Sequence, residues 1–553
     1  MRILSISAAH DSSVCVLNDG KLEFFSKEER LSRIKRDKQP ILSLEKYLSL
    51  NMGKIDEFLW CAPANYSNPK DEVAIRNGFA DQWYSLYLKK RLQKDLKFHA
   101  IGHHISHATL AFVNSGFDEA IVVVIDRDGS IVFIENDPVA RESESVYLFS
   151  KELGEKAVHK GYWVYKPTEN KSRIKKFIES NLPECNINVN SAYSIVKVYE
   201  AATTLIDQNP LENGKTMGLA SYGENIQYSP LFLDGNPISN YFETLESEQV
   251  CFYGLRDFIN GDLNEDNYQF YANKAKHVQL ETQQAALNLI KEFVERTGIQ
   301  NVCLVGGYAL NVVANNFYLK HLPEVNFYFE PTADDTGISI GSAMMLHKRL
   351  TGEWPEPLAN NFYQYYDYDE ELNIGQKANL QKVVKLLTEG KSVAIFEGNP
   401  EAGPRALGHR SILFDPRNPD TKDIVNRIKK REWYRPFAGV ILKEEFENYF
   451  DTVGVINSPY MTINFDAKED TKELVPGIVH VDGTCRVQTV SEGTLYELLK
   501  LFYKKTKCPM ILNTSFNLAG EALVQTKADA IRTFENSELD AVYFVDDGKL
   551  LLK

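Results

Sequence analysis

Apolar runs of strand length recur along this chain, each closed by a polar or glycine-bearing turn and many followed by a segment of helical spacing. "RILSISA" (2–8), "VCVL" (14–17) and "KLEFFS" (21–26) open it. "AIVVVID" (120–126), "SIVFIE" (130–135) and "NVCLVGG" (301–307) follow. Strands alternating with helices bury one another's apolar faces in layers, which gives an α/β architecture rather than a bundle or a sandwich. The first runs read as an antiparallel hairpin turning at Asn18-Asp19-Gly20, residue types that tolerate positive φ. Helices are expected near "ALNVVANN" (309–316) and over "DDTGISIGSAMMLHKRL" (334–350), the second stopping before Thr351-Gly352.

At 553 residues the chain exceeds what one core supports, so at least two domains are expected. The texture changes over 351–375, where Pro, Asn, acids and aromatics replace any clear period. A second α/β block begins at "LTEGKSVAIFEG". The expected division is therefore 1–355, a connection over 356–375, and 376–553. No apolar run approaches the roughly 18 residues of a membrane span, and "MRILSISAAHDSS" turns polar too soon for a signal peptide. Seven dispersed cysteines, Cys251 among them, fit reduced thiols and a cytoplasmic location rather than a disulfide framework. A net charge of -14 disfavours a nucleic-acid coat and leaves enzymes with local basic pockets open.

"GHHISHA" (102–108) places three of the chain's 11 histidines within five positions. On a helix His103 and His107 stand one turn apart on one face, the spacing by which two imidazoles share a metal, while His104 points elsewhere. A packed or solvated pair fits that spacing equally well. Asp126 ends a strand and Asp335 precedes a helix, positions where α/β sheets collect ligands and also where acids commonly form turns. Two imidazoles with two carboxylates would suit Fe(II), Mn(II) or Zn(II). Glycine turns in "ENGKTMGLASYG", "VGGYALN" and "DDTGISIGSA" allow close approach of backbone to a phosphate, but none is a Walker sequence. Residues 405–435 hold nine Lys/Arg against four acids, a local +5; a solvated basic face is the usual source of such a run, while the interleaved Gly, Pro and aromatics suit a folded pocket for a small anion. In "PMILNTSFNLAGEALV", Asn513, Ser515 and Asn517 share one face of an extended segment.

Taken in order, "HDSSVCVLNDG", "KEERLSRIK", "HHISHA", "GKTMGLASYG", "GGYALN", "DDTGISIGSA", "GPRALGHRSIL", "HVDGTCRVQTV" and "LNTSFNLAGE" give the chain a close resemblance to O-carbamoyltransferases that decorate nodulation factors and aminoglycosides. The resemblance spans nearly the whole length. It implies an actin-like ATPase (ASKHA) fold in the N-terminal part and a YrdC-like α/β fold in the C-terminal part. It implies that carbamoyl phosphate and ATP, with Mg2+, give carbamoyl-adenylate in the C-terminal part. The carbamoyl group then passes to a hydroxyl-bearing acceptor at a metal site, Fe(II) or another divalent ion, in the N-terminal part. By that resemblance His103, His107, Asp126 and Asp335 are the metal ligands. Arg405, Arg410, Lys430, Arg435 and Arg486 neutralise phosphates, with Arg405 and Lys430 acting in catalysis. Asn513 and Ser515 orient the nucleotide. His104 is the first candidate for the acceptor's base and His10 the second. A homodimer is the expected assembly, with no membrane partner and nucleic acid only as an acceptor.

One departure stands out. The family pattern Asp-Gly-x-Gly-Glu reads "DRDGS" (126–130) here, with Arg127 in place of a glycine and Ser130 in place of a glutamate. A bulky Arg127 is expected to weaken nucleotide binding in the N-terminal domain, and Asp128 becomes a competitor of Asp126. Acceptor selectivity is expected to lie around 60–100 and 130–200, which match no motif. The competing reading is an actin-fold phosphotransferase or metallohydrolase whose basic block is a regulatory anion site. A nucleic-acid-binding patch over 405–435 is the other, against which the overall acidity argues.

Overall fold

A computed structural model describes residues 1–553 except 9, 62–65, 69–72, 76–78, 136, 165–169, 191–193, 208, 234, 238–262, 264–265, 360–361 and 368–372. Cys251, part of the 356–375 connection and parts of both expected acceptor regions lie outside the described residues. The chain divides into two compact units. One comprises Met1–Glu28, Arg36–Leu310 and Phe317–Asn361, the other Glu29–Lys35, Asn311–Asn316 and Phe362–Lys553.

In the first unit, strands β1 (Arg2–Ser7), β2 (Ser13–Asn18), β3 (Lys21–Lys27), β4 (Glu57–Cys61) and β5 (Lys97–Ala100) form a sheet in the order β3-β2-β1-β4-β5. The first three run antiparallel, and β4 and β5 are added in parallel. The β2–β3 turn carries positive φ at Asp19 and Gly20, as the Asn-Asp-Gly signal predicts. The same order recurs in β6 (Glu119–Ile125), β7 (Asp137–Ser150), β8 (Gly154–Val164), β9 (Asn301–Val305) and β10 (Asn326–Phe329), which lie β8-β7-β6-β9-β10 within a larger sheet. Again the first three are antiparallel and the last two parallel. A strand order used twice in this way is the actin-like topology. Strand β6 is buried along all but its first residue, so its Ala-Ile-Val-Val-Val-Ile run has no polar alternation.

Helices α1 (His103–Ser115) and α2 (Ile338–Thr351) pack against each other. The contact works because Gly341 has no side chain: a Cβ there would stand 2.0 Å from the Ser106 carbonyl oxygen. Serine pairs fasten α2 to the first sheet, Ser5 to Ser342 at 2.9 Å and Ser13 to Ser339 at 2.7 Å. The string "GISIGSA" thus serves two neighbours, one by absence of bulk and one by hydroxyls.

The second unit is built on a ten-stranded mixed sheet. Its centre runs Val393–Phe396, Arg410–Phe414, Met510–Ser515, Ala438–Leu442 and Thr484–Val490, fully hydrogen-bonded neighbours in that order. Its core includes Phe396, Ile412, Ile428, Phe516 and Phe544. Segment 29–35 belongs to this unit through its arginines. Arg33 donates to the carbonyls of Leu523 and Ala522 at 2.6 and 2.7 Å, and Arg30 to that of Gly403 at 3.2 Å. Among the described residues no helix is long and apolar enough to cross a membrane.

Candidate metal centre and candidate anion pocket

The first turn of α1, the C-terminal end of β6 and the turn before α2 converge on one point. His103 and His107 come from α1, Asp126 follows β6, and Asp335 lies in the short 3-10 turn Asp335–Gly337. One ligand atom from each lies within 4.8 Å of all the others, and all four residues are buried. His103 Nε2 is 3.0 Å from Asp126 Oδ2 and 3.4 Å from Asp335 Oδ1. His107 Nε2 is 3.8 and 3.6 Å from the same two oxygens.

Local devices hold each ligand. The backbone N–H of Gly307 donates to Asp126 Oδ1 at 3.0 Å, which fixes one oxygen and leaves the other facing the imidazoles. Gly306 makes that turn with φ +88, where a Cβ would sit 2.4 Å from the Ile125 carbonyl oxygen. The His103 N–H, unpaired at the start of its helix, finds Ser130 Oγ at 3.1 Å.

The electrostatics suit a cation. Burial alone would lower His103, but Asp335 and Asp126 outweigh it and hold the imidazole up to about 10. Burial alone would raise Asp126, yet His103 and His107 keep it well below the usual carboxylate range. Asp335 is depressed likewise, against burial, by His10 and His103. Both Nδ1 atoms, and His107 Nε2, are buried without a hydrogen-bond partner. Two imidazoles and two carboxylates, with the orphaned His107 Nε2 facing both carboxylates, fit a divalent transition metal, with Fe(II), Mn(II) and Zn(II) all compatible.

The two candidate bases part company. His10 stands at the edge of the quartet, Nδ1 3.0 Å from Asp11 Oδ2 and 3.5 Å from Asp335 Oδ2, and Asp11 is in turn 2.7 Å from Lys27 Nζ. His104 faces away, its Nδ1 2.7 Å from Ser145 Oγ and its ring against Gly129. Burial pushes it down to about 3, so it carries a neutral ring of low basicity. Asp128 is not in the quartet; Arg127, Arg141 and Lys197 surround it at 3.3, 3.5 and 3.5 Å.

In the second unit, backbone register collects a different set. Ala438 pairs with Arg486 on one side and Asn513 on the other, so these three residues share a face with a side-chain gap at the alanine. Ser515, two residues beyond Asn513, is on the same face. Asn513 Nδ2 donates to Gln488 Oε1 at 2.9 Å, and Ser515 Oγ to Asn517 Oδ1 at 2.6 Å. The half-buried Arg486 guanidinium is driven well below its ordinary value by desolvation and by Arg405, Arg431 and Arg435. Its Nε has no hydrogen-bond partner.

Two expected members are differently engaged. Arg410 is fully buried, and its guanidinium donates to the carbonyls of Glu397, Gly398, His409 and Gln525 at 2.6–3.2 Å while lying 3.6 Å over the Phe396 ring. Its donors are committed to the chain's own turns. Lys430 is exposed, at the left-handed C-cap of helix Thr421–Lys429. The buried lysine is its neighbour Lys429, whose Nζ donates to the Ser515 and Asn517 carbonyls and reaches both side chains. Burial first, then Arg431 and Arg435, push it well below its usual value. Lys429 and Arg431 were legible only as members of a basic run; their convergence with Ser515 and Asn517 was not.

Models of the carbamoyltransferase N-terminus and C-terminus match residues 74–344 and 384–548. Protein sll1178 of Synechocystis sp. is 30% identical over 100% of this chain and 96% of its own length. The chain belongs to the carbamoyltransferase family. Nodulation protein NolNO of Sinorhizobium fredii is 26% identical, covering 98% of this carbamoyltransferase and 79% of the relative. Among solved structures, full-length HypF in a phosphate- and nucleotide-bound form is similar at 15% identity with a TM-score of 0.38, over 64% of this chain and 56% of that one. The family's N- and C-terminal models between them cover both candidate sites.

Proposed function

We propose that this carbamoyltransferase is ATP-dependent and works in two steps, one at each site. In the YrdC-like C-terminal unit, the carbamoyl–phosphate bond is cleaved by water to give carbamate and inorganic phosphate. A carbamate oxygen then attacks the α-phosphorus of ATP, and pyrophosphate leaves. Crowding of Arg405, Arg431 and Arg435 onto Arg486 is the observation that carries this reading, because burial and those three like charges depress the Arg486 guanidinium and a bound anion would relieve them. Lys429, whose Nζ donors hold Ser515 and Asn517, contributes positive charge beneath a bound phosphate, which would offset the lowering that burial, Arg431 and Arg435 impose on it. Asn513 and Ser515 orient the nucleotide from the strand floor. Mg2+ accompanies the ATP phosphates.

At the quartet, His103, His107, Asp126 and Asp335 would hold a divalent metal. A bound divalent ion supplies Lewis acidity toward the carbamoyl oxygen. The acceptor hydroxyl gives up its proton as its oxygen bonds to the carbamoyl carbon, and AMP departs. His10, at the quartet's edge and ordered by Asp11, is better placed to handle that proton than His104.

The test is mass spectrometry of the purified chain with ATP, carbamoyl phosphate and Mg2+. Pyrophosphate and a carbamoyl-AMP mass are expected, abolished by Lys429→Ala and retained by Lys430→Ala. Absence of both products from folded wild-type protein, with candidate hydroxyl acceptors supplied, would overturn the reading in favour of a phosphotransferase.

A further inference from the structure

Beside the quartet lies a group of charges that the two-step scheme does not use. Arg127 directly follows the ligand Asp126. Its Nε is ion-paired at 3.0 Å from Glu200 Oε1 and 3.3 Å from Asp128 Oδ2, yet among the described residues no N–H of the guanidinium donates a hydrogen bond, and the buried Nε has no hydrogen-bond partner. Lys197 is buried, with its Nζ at 3.5 Å from both Asp128 Oδ1 and Glu200 Oε2 and 5.1 Å over the Trp163 ring. Asp128 Oδ1 is likewise buried and unpartnered.

Lys197 Nζ donates one long hydrogen bond, 3.5 Å, to Glu200 Oε2, whereas Arg127 is ion-paired with Glu200 and Asp128 at angles that form no hydrogen bond among the described residues. A guanidinium with free donors in a half-buried setting is built for a planar or tetrahedral oxyanion. Only about a third of the Arg127 side chain reaches solvent, so water alone is a poor substitute for such a partner.

We infer that Arg127, supported by Lys197, forms an oxyanion subsite beside the quartet that holds a phosphate of a second-step substrate. This rests on the proposed two-step function and deepens it. The phosphate has two sources: the adenylyl group of the carbamoyl donor, which leaves as AMP, or a phosphate carried by the hydroxyl acceptor. In either case no bond to the phosphate oxygen held by Arg127 is made or broken, so Arg127 positions the reacting group and neutralises charge. The arginine that was expected to weaken nucleotide binding becomes the residue that recruits the anion.

The experiment uses the full chain labelled with 5-fluorotryptophan, its Trp163 19F resonance assigned from Trp163→Phe. That ring reports locally through its Lys197 neighbour, independently of the C-terminal pocket. AMP, adenosine, ribose 5-phosphate and ribose are titrated in turn. For the phosphorylated member of one pair, Arg127→Ala is expected to weaken binding about tenfold or more, with Arg127→Lys restoring part of it. The unphosphorylated partner should be insensitive to the substitution. Loss confined to AMP assigns the donor's phosphate, and loss confined to ribose 5-phosphate assigns the acceptor's. Loss of both shows a phosphate subsite open to either. If Arg127→Ala leaves both phosphorylated probes unchanged, or if phosphate adds nothing to binding, the inference is overturned. Pyrophosphate release by the wild-type protein is measured in parallel: its absence removes the two-step scheme, whereas the titration reads the subsite by itself.

Discussion

Adjacent residues with the same side chain can have unrelated chemistry. Lys429 and Lys430 differ because helix Thr421–Lys429 turns the first toward Ser515 and ends at the second. A local charge count sees both equally. At the quartet the opposite holds: a His pair at i and i+4, an acid at a strand end and an acid before a helix each carried a positional signal. His103→Ala and Asp126→Asn are expected to lose the bound transition metal, from about one ion per chain to a small fraction, read by elemental mass spectrometry. A second prediction concerns the buried pair Lys160–Glu142, 2.7 Å apart, in which Glu142 also accepts the Ser130 N–H at 2.9 Å. Burial opposes ionisation of Glu142, but Lys160 outweighs it and holds the carboxyl at about 2 against an ordinary 4.5. A depressed carboxylate contributes stability that is complete above the unfolded value and lost as pH falls toward about 2. Acid unfolding followed by circular dichroism should show that loss. Lys160→Met strands the carboxylate and should cost about 3–5 kcal/mol in urea unfolding at neutral pH.

Among the elements, α1 and α2 show how a motif can be read for one purpose and serve another. "DDTGISIGSA" suggested a phosphate-approaching turn; in the fold its Gly341 is the contact point for α1. The helix itself, its end at Thr351 and the left-handed Gly352 follow from sequence signals that act over a few residues. The partner does not, because Ser106 lies far away along the chain. Gly341→Ala should therefore overpack the crossing, costing about 1–3 kcal/mol and lowering the melting temperature in calorimetry. Since Ser106 sits in the turn joining His103 to His107, the same substitution should also weaken metal binding, measured by titration of the metal-free protein.

For the molecule as a whole, two compact units and two unlike sites predict separable responses to ligands. Ligands that bind only the folded state stabilise it by about 2.7 kcal/mol at a hundredfold excess over Kd. ATP with Mg2+ should raise one calorimetric transition, and Lys429→Ala should remove that shift. A transition metal should raise the other, and His103→Ala should remove that one. A single transition responding to both, unaltered by either substitution, would contradict the assignment of a site to each unit. The sequence alone carried the α/β class, the opening hairpin and its turn, the family, and through that resemblance the four residues of the quartet, because turn residues, apolar runs and short strings act within a few residues of themselves. Tertiary structure alone decided that Arg410 closes turns, that Lys429 and not Lys430 is buried with Ser515, that His104 faces Ser145, and that segment 29–35 joins the second unit. Each of those outcomes depends on which backbone carbonyls and side chains from distant parts of the chain arrive within hydrogen-bond distance, and burial fixes the chemistry only once they have.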